Sequence, residues 1–287
     1  PRVVMTVHNV NVRKRDGNDT FLNRHTLKVQ YHSCAHLFVH TEQMKLELEQ
    51  EFGVPRAKIS VIPFGINATV PDTDLTPGDA RRRLGLSAPD QVLLFFGNIA
   101  PYKGLEFLVG AAERLKDRLP RLRLVIAGRP KGAESYWANV SSKLAASGVG
   151  QRAIQRIEYV PDDDTEIYFK AADVVVLPYT HVFQSGVLFL AYNFGLPVIA
   201  SDVASMREDI IEGKTGLVCR PADPDDLAEK IDTFFKSALY ATLSSQRGLI
   251  REFAHERYSW SKVATITKSV YAAVGRPTGH EASTASS

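Results

Sequence analysis

The stretch of sequence that decides the fold is Asp173–Ser201, DVVVLPYTHVFQSGVLFLAYNFGLPVIAS. It begins and ends with β-rich apolar runs, and the helix-like segment between them stops at Gly195, just before Pro197. Two buried strands joined through a helix are typical of a parallel βαβ unit. The loop Gln184–Val187 then follows a strand and opens onto a helix N-terminus, where α/β sheets bind anions. We therefore predict a phosphate or diphosphate site at this loop.

The composition is that of a globular protein with room for one large or two ordinary domains. Of 287 residues, 44% are hydrophobic and 23% are charged, and the formal net charge is +3. There is no basic stripe with interleaved aromatic residues, so we expect no nucleic-acid partner. The basic clusters Arg13-Lys14-Arg15 and Arg81-Arg82-Arg83 are interpreted as solvated loops or faces. Cys34 and Cys219 match no metal or redox spacing, so we expect reduced thiols and no metal site.

Strands alternate with helices along the whole chain, which predicts a doubly wound α/β fold. Residues 9–24 are polar and irregular and predict a loop. The other predicted strands lie at Val3–Val7, His36–His40, Lys58–Ile62, Val92–Phe96, Leu122–Ala127, Arg156–Val160 and Gly216–Cys219. Late helices are expected near 223–236, 238–254 and 257–274. The predicted organisation is a partial first domain at 1–70, a linker at 71–90, a second domain at 91–256, a helix at 257–274 that returns to the first domain, and a disordered tail at 275–287.

Several common site signatures are missing from the sequence. It contains no Gly-x-Gly-x-x-Gly and no Walker A loop, which disfavours a dehydrogenase or a P-loop NTPase. Ser185 lies in Gln-Ser-Gly-Val and not in Gly-x-Ser-x-Gly, so a nucleophile elbow is unsupported.

Five strings, in order along the second half, resemble retaining glycosyltransferases of family 4, which have the two-domain GT-B fold. They are Phe95–Leu105 (FFGNIAPYKGL), Leu124–Gly128 (LVIAG), Ala172–Tyr179 (ADVVVLPY), Gly186–Asp202 and Gly213–Leu217 (GKTGL). Together they span essentially all of the second domain. The sequence is thus expected to form two Rossmann-like domains of GT-B type, with the first incomplete.

The resemblance implies transfer of a sugar from a nucleoside diphosphate sugar, of UDP or GDP type, with retention at the anomeric carbon. The acceptor would be a glycan or a lipid-linked glycan. No cofactor and no metal are implied, so protein groups would stabilise the leaving diphosphate. Many relatives build polysaccharide on lipid carriers, so we expect a cytoplasmic protein, with peripheral contact at the inner membrane face left open.

The resemblance also assigns roles to particular residues. Lys103 matches the phosphate-binding lysine, and His8 matches the histidine that faces the reacting sugar. The implied donor-binding residues are Gly97, Asn98, Lys103, Gly128, Arg129, Tyr159, Val160, Gln184, Ser185, Gly186 and Val187. For three of these residues, an ordinary structural role is the alternative to the functional one. These roles are a loop histidine for His8, a helix-start lysine for Lys103 and a surface charge for Arg129.

The sequence departs from the family pattern at positions that matter for chemistry. Where most members carry a Glu-x7-Glu pair, this chain has Val182 and Leu190. Asn98 replaces an arginine, and Ala100 stands where one branch of the family carries another. Donor recognition would then depend more on Gln184 and Ser185. The alternative interpretation is therefore a catalytically silent subunit that binds a nucleotide sugar.

Few strands precede the linker, in comparison with a full GT-B first domain. We therefore expect either that the sequence is a fragment of a longer protein or that a partner completes the first domain.

Overall fold

The computed structural model describes residues 2–10, 20–66, 70–182, 184–203 and 206–275. The chain divides into two compact units, the first made of Pro1–Gly65 with Arg257–Ser287 and the second of Ile66–Glu256. The cluster Arg13-Lys14-Arg15, most of the predicted loop at 9–24 and the predicted tail after Gly275 lie outside the described residues.

Helices and strands alternate through both units. The strands are β1 (Val4–Thr6), β2 (His36–Val39), β3 (Ile59–Val61), β4 (Gln91–Phe96), β5 (Leu122–Ala127), β6 (Ala153–Arg156), β7 (Val174–Leu177), β8 (Val198–Ser201) and β9 (Gly216–Cys219). The helices are α1 (Phe21–Ser33), α2 (Glu42–Phe52), α3 (Pro77–Arg83), α4 (Leu105–Leu115), α5 (Glu134–Ala146), α6 (Asp162–Ala171), α7 (Gly186–Asn193), α8 (Met206–Asp209), α9 (Pro224–Phe235), α10 (Ala238–Ala241), α11 (Leu243–Tyr258) and α12 (Trp260–Gly275).

The first unit is a three-stranded parallel sheet in the order β1-β2-β3. Val4 pairs with His36 and Leu37 pairs with Ile59. Helix α12 belongs to this unit, because Val270 is buried in one core cluster with Phe38 of β2. The apolar stripe of α12 therefore covers part of the sheet of the first unit, as an amphipathic helix does.

The second unit contains a six-stranded parallel sheet in the order β6-β5-β4-β7-β8-β9. The chain starts this sheet at β4, moves outward to β6, and then returns to β7 on the other side of β4. Strand β7 is buried at all four residues, as its continuous apolar run predicts. The prediction of a doubly wound α/β fold is confirmed. The reversal between β4 and β7 is the topological switch point at which such sheets bind ligands.

The predicted linker at 71–90 contains helix α3 and belongs to the second unit. Arg81 of α3 forms an ion pair of 2.8 Å with Asp173, just before β7. The other carboxylate oxygen of Asp173 accepts a hydrogen bond of 2.8 Å from the Val92 N–H in β4. Arg81 is thus part of a mostly buried network, and its interpretation as a solvated charge was wrong.

Two local predictions were also wrong, and one helix was missed. The strand expected at 156–160 is β6, at Ala153–Arg156, because this half-exposed edge strand lacks a clear apolar pattern. The helix expected at 238–254 is split into α10 and α11. Helix α1 was missed, since its first residues, Phe21 and Leu22, face solvent and obscure the amphipathic period. Within the described part of the chain, no helix combines the length and the apolar character that crossing a membrane requires.

Candidate functional site

The loops after β4 and β7 meet at the switch point of the second sheet. The first loop ends in a 3₁₀ turn, Pro101–Lys103, followed by α4. The Thr180 N–H, in the second loop, donates a hydrogen bond of 2.8 Å to the Tyr102 carbonyl. The two loops are therefore tied to each other as well as to neighbouring strands of the sheet.

Lys103 is buried at this junction, with only 7% of its surface exposed. Its Nζ lies 5.2 Å from the centre of the Tyr179 ring. No ion pair or hydrogen bond to its ammonium is found among the described residues. Burial lowers the pKa of Lys103 to about 8. A buried cation without a carboxylate partner is costly, so an anion at this position would be strongly favoured.

The Lys103 ammonium and the first turn of α7 both lie close to Gly97. A methyl group on Gly97 would lie 3.2 Å from Lys103 Nζ and 3.6 Å from Val187 Cγ2, and the φ of Gly97 is +98°. Gly128 supports this loop from β5, since a side chain there would collide with the Gly97 carbonyl oxygen. Both glycines allow a backbone approach that a larger residue would prevent.

The loop Gln184–Val187, for which the sequence predicts a phosphate or diphosphate site, leads into the N-terminus of α7. Ser185 is the buried N-cap residue, and its side chain does not bond to the helix. The first-turn N–H groups of Gly186 and Val187 have no intrahelical acceptor. Apart from its chain neighbours and the backbone of α7, no atom of the described residues lies within 4 Å of the position that a Gly186 side chain would take. This helix end is therefore open to a ligand.

Tyr179 lies next to both Ser185 and Lys103. Burial raises the pKa of the Tyr179 phenol, and the neighbouring Ser185 hydroxyl opposes that rise. The Tyr179 hydroxyl thus neighbours Ser185, and the Tyr179 ring lies under the Lys103 ammonium. Tyr179 was not among the predicted site residues, although it ends the Leu177-Pro178-Tyr179 motif that marked the strand.

A cavity of about 210 Å³ adjoins Gly97 at the ends of β4 and β5. The guanidinium of Arg129 lies 5.3 Å from the centre of the Tyr159 ring and forms part of the wall. Six of the predicted donor-binding residues line this cavity, namely Gly97, Asn98, Gly128, Arg129, Tyr159 and Val160.

Val182 and Leu190, which stand where most family members carry glutamate, lie in different surroundings. Leu190 lines the cavity, where it adds an apolar side chain. Val182 is half-buried in the loop before α7. Two other carboxylates, those of Glu158 and Asp162, line the same cavity and were not predicted. Gln184 is half-buried, and no hydrogen bond of its side chain is found among the described residues.

His8 belongs to the first unit and follows β1. It is exposed, and its Nδ1 lies 3.0 Å from Nε2 of His40, which follows β2. The two rings have centres 5.0 Å apart. His40 was not predicted as a site residue, although a histidine directly after a parallel strand is the same signal that identified His8.

Metal-ligating groups are dispersed in the described ranges, where no set of three or more His, Cys, Asp or Glu side chains could hold an ion. Cys34 and Cys219 are buried free thiols. Burial raises the pKa of Cys219 to about 12, which keeps this thiol protonated.

Two family models match the chain. The model described as "Glycosyl transferases group 1" matches residues 90–237, and that of "Glycosyltransferase Family 4" matches residues 1–70. Both matches agree with the resemblance inferred from the motifs.

The curated relatives include two proteins named D-inositol 3-phosphate glycosyltransferase. That of Pseudarthrobacter chlorophenolicus is 30% identical over 253 residues, which cover 86% of this chain and 58% of the relative. That of Corynebacterium urealyticum is 28% identical over 242 residues, which cover 82% of this chain and 56% of the relative. The chain therefore spans little more than half the length of these relatives.

Solved structures with the same fold include Anabaena HepE in complex with UDP, with a TM-score of 0.78 at 18% identity, covering 96% of this chain and 72% of HepE. Sucrose-phosphate synthase from Thermosynechococcus elongatus has a TM-score of 0.77 at 22% identity, covering 95% of this chain and 67% of the synthase. The prediction of two Rossmann-like units of GT-B type is confirmed at the level of the fold. With a family model that matches more than half of its residues, the chain belongs to the glycosyl transferases group 1 family.

Proposed function

We propose that this chain carries out glycosyl transfer from a nucleoside diphosphate sugar. The observation that carries the proposal is the buried, carboxylate-free ammonium of Lys103 at the switch point, beside Gly97 and the N-terminus of α7. A diphosphate there would receive charge from Lys103 and hydrogen bonds from the first-turn N–H groups of α7. The adjoining cavity at Arg129 and Tyr159 would receive the nucleoside.

The chemistry assigned to these residues is stabilisation of the leaving diphosphate. As the bond to the sugar breaks, negative charge grows on the phosphate oxygens, and a preorganised ammonium and helix N-terminus stabilise that charge. Protein groups would then do this without a metal ion. In this proposal the sugar is transferred with retention to a glycan or a lipid-linked glycan, and His8 contacts a sugar hydroxyl.

The base of the donor is proposed to be uracil or guanine. HepE was solved with UDP and with UDP-glucose, which supports a uridine donor in a protein of the same fold. Glu158 and Asp162 are the carboxylates that line the cavity, and they are candidates for hydrogen bonds to ribose, since Leu190 cannot accept one.

The proposal is tested by nucleotide binding. UDP or GDP should bind the protein, and Lys103→Ala should weaken that binding by about 1–3 kcal/mol, the range of a lost charge-assisted hydrogen bond. Isothermal titration calorimetry measures both. Lys143→Ala is the matched control, because Lys143 is exposed on α5, and it should leave the affinity unchanged. If neither nucleotide binds, the proposed donor class is wrong.

The second candidate function is a catalytically silent nucleotide-sugar-binding subunit. Val182 and Leu190 favour it, because neither side chain can act on the donor as a carboxylate would. A panel of nucleoside diphosphate sugars with glycan and lipid-linked acceptors separates the two functions. Turnover of any donor would contradict the silent-subunit hypothesis. Nucleotide binding without turnover, in the longest available form of the protein, would support it.

We also propose contact with an anionic membrane surface through α1. This helix contains no Asp or Glu, and Phe21, Leu22 and Val29 are 87%, 74% and 53% exposed. His25 and Lys28 are exposed on the same helix, so apolar and basic groups share one face. Apolar side chains that insert among lipid headgroups and basic side chains that attract anionic lipids would together hold this helix at such a surface.

A further inference from the structure

The inference concerns the two histidines that end neighbouring strands of the first unit. β1 and β2 are parallel with Thr6 opposite Phe38, so His8 and His40 leave the sheet at the same edge. The Val7 N–H donates a hydrogen bond of 2.8 Å to the Phe38 carbonyl, which fixes the backbones just before the two rings. The side chains then meet, with His40 Nε2 at 3.0 Å from His8 Nδ1.

The surroundings of His40 decide which of its nitrogens carries hydrogen. Its Nδ1 lies 3.4 Å from the Ile62 carbonyl oxygen, which can only accept a hydrogen bond. The Phe64 ring covers the imidazole edge-on at 5.4 Å. Burial lowers the pKa of His40, and the neighbouring His8 lowers it further, which favours the neutral form of His40. A neutral His40 that donates from Nδ1 has its lone pair on Nε2.

The tautomer of His8 follows from this assignment. Nε2 of His40 can only accept, so the bond of 3.0 Å requires that Nδ1 of His8 carries the hydrogen. In the neutral His8 ring, the lone pair is then on Nε2. Since His8 is exposed, this nitrogen is free to accept a hydrogen bond from a ligand.

We propose that His40 is a positioning residue that holds His8 in the Nδ1–H tautomer, so that Nε2 of His8 accepts a hydrogen bond from a hydroxyl of the donor or acceptor sugar. The contact with sugar rests on the proposed function, whereas the tautomer does not. His40 itself needs no contact with substrate, because it acts through the ring of His8.

The test is the ring nitrogen spectrum of the whole chain labelled with ¹⁵N-histidine, in which the His8 signals are identified by their loss in His8→Gln. Long-range ¹H–¹⁵N correlations at neutral to mildly basic pH distinguish the two neutral tautomers. His8 should be the Nδ1–H tautomer in the unmodified protein. His40→Leu should abolish this preference, because it removes the acceptor, and His40→Gln should retain it through its amide oxygen.

His36→Leu is the matched control. His36 begins the strand that His40 follows, but its Nε2 bonds to Ser60 Oγ at 2.9 Å, so the tautomer of His8 should not change. An Nε2–H tautomer of His8 in the unmodified protein would overturn the proposal. So would a tautomer that stays the same in a folded His40→Leu protein. If His40→Leu does not fold, the unmodified protein and His40→Gln still decide the question.

Activity supplies a second readout if transfer is detected. We expect His40→Leu to lower kcat by about tenfold or more while the KM for the donor changes little, with partial rescue by His40→Gln. An equal effect of His36→Leu would indicate a structural role for both residues and would contradict the proposal. If no transfer is detected, the proposed function fails, and the spectrum still tests the tautomer.

Discussion

Lys103 is the residue on which the candidate site depends. Its ammonium has the Tyr179 ring at 5.2 Å and no carboxylate partner among the residues described here. A lysine in this position is ready to bind an anion, since the anion supplies the charge that the protein does not. Arg129, in contrast, lies at the cavity wall over Tyr159, where cation–π contact already engages its guanidinium.

This environment of Lys103 predicts a pH dependence for nucleotide binding. The pKa of Lys103 is lowered to about 8 in the free protein, and a bound diphosphate would raise it. Binding then takes up protons, and affinity falls as pH rises through the free-state value. We expect UDP affinity to fall about fivefold between about pH 7 and pH 8.8. Isothermal titration calorimetry in two buffers of different ionisation enthalpy measures the affinity and the proton uptake.

Lys103→Arg is the control for this prediction, because arginine stays charged over the whole pH range. Any pH dependence that remains in this variant comes from the nucleotide itself. An equal fall in affinity in both proteins would show that Lys103 is not the titrating group.

At the scale of elements, α3 lies in the segment 71–90, which was predicted to be a linker but is part of the second unit. Pro77 and the side-chain cap from Thr76 begin the helix, and α3 packs on α6. Beside it, the Thr73 N–H donates a hydrogen bond of 2.8 Å to Glu166, and Lys170 forms an ion pair of 2.8 Å with Asp72. These contacts fix the stretch against the sheet that carries the candidate site.

The Arg81–Asp173 pair predicts a large effect on stability. Burial raises the pKa of Asp173, and Arg81 is the largest opposing influence. Arg81→Ala should leave a buried carboxyl without its partner and lower the free energy of unfolding by about 3 kcal/mol. Urea unfolding followed by circular dichroism measures the loss.

Arg82→Ala is the matched control for Arg81→Ala. The side chain of Arg82 is 76% exposed, whereas that of Arg81 is 14% exposed. Arg82 pairs with Asp79 at the surface, so we expect a change of less than about 0.5 kcal/mol. Similar losses in the two variants would show that the buried pair does not account for the effect, since alanine itself favours a helix.

For the whole molecule, the exposed face of α1 predicts binding to vesicles. The chain should associate with vesicles that contain an anionic lipid such as phosphatidylglycerol, and much less with pure phosphatidylcholine. Phe21→Ser combined with Leu22→Ser should lower the partition coefficient about tenfold or more, because two buried apolar side chains are lost. Vesicle flotation measures the bound fraction.

Leu249→Ser is the control for the vesicle experiment. Leu249 is 57% exposed on α11, in the second unit, and its replacement should leave vesicle binding unchanged. Equal binding to anionic and zwitterionic vesicles would contradict the electrostatic part of the proposal. Unchanged binding of the double variant would exclude α1 as the contact.

The sequence by itself determined the α/β class, and it supplied most of the candidate site residues of the second unit. Continuous apolar runs such as Val174–Leu177 predict buried parallel strands, and the place of Gln184–Val187 between a strand and a helix predicts an anion site there. The roles of Gly97 and Lys103 came instead from the resemblance of their string to a known family. Helix α1 and the position of β6 were not predicted, since their exposed residues give no clear period.

The tertiary structure decided which residues from different segments touch. The contacts of Tyr179 with Lys103, of Arg81 with Asp173 and of His40 with His8 depend on sheet order and register. A pattern of hydrophobic residues specifies which face of an element is buried, but it does not specify the neighbour across that face. Burial, which lowers the pKa of Lys103, is likewise a property of the packed loops and not of the string Tyr102-Lys103-Gly104.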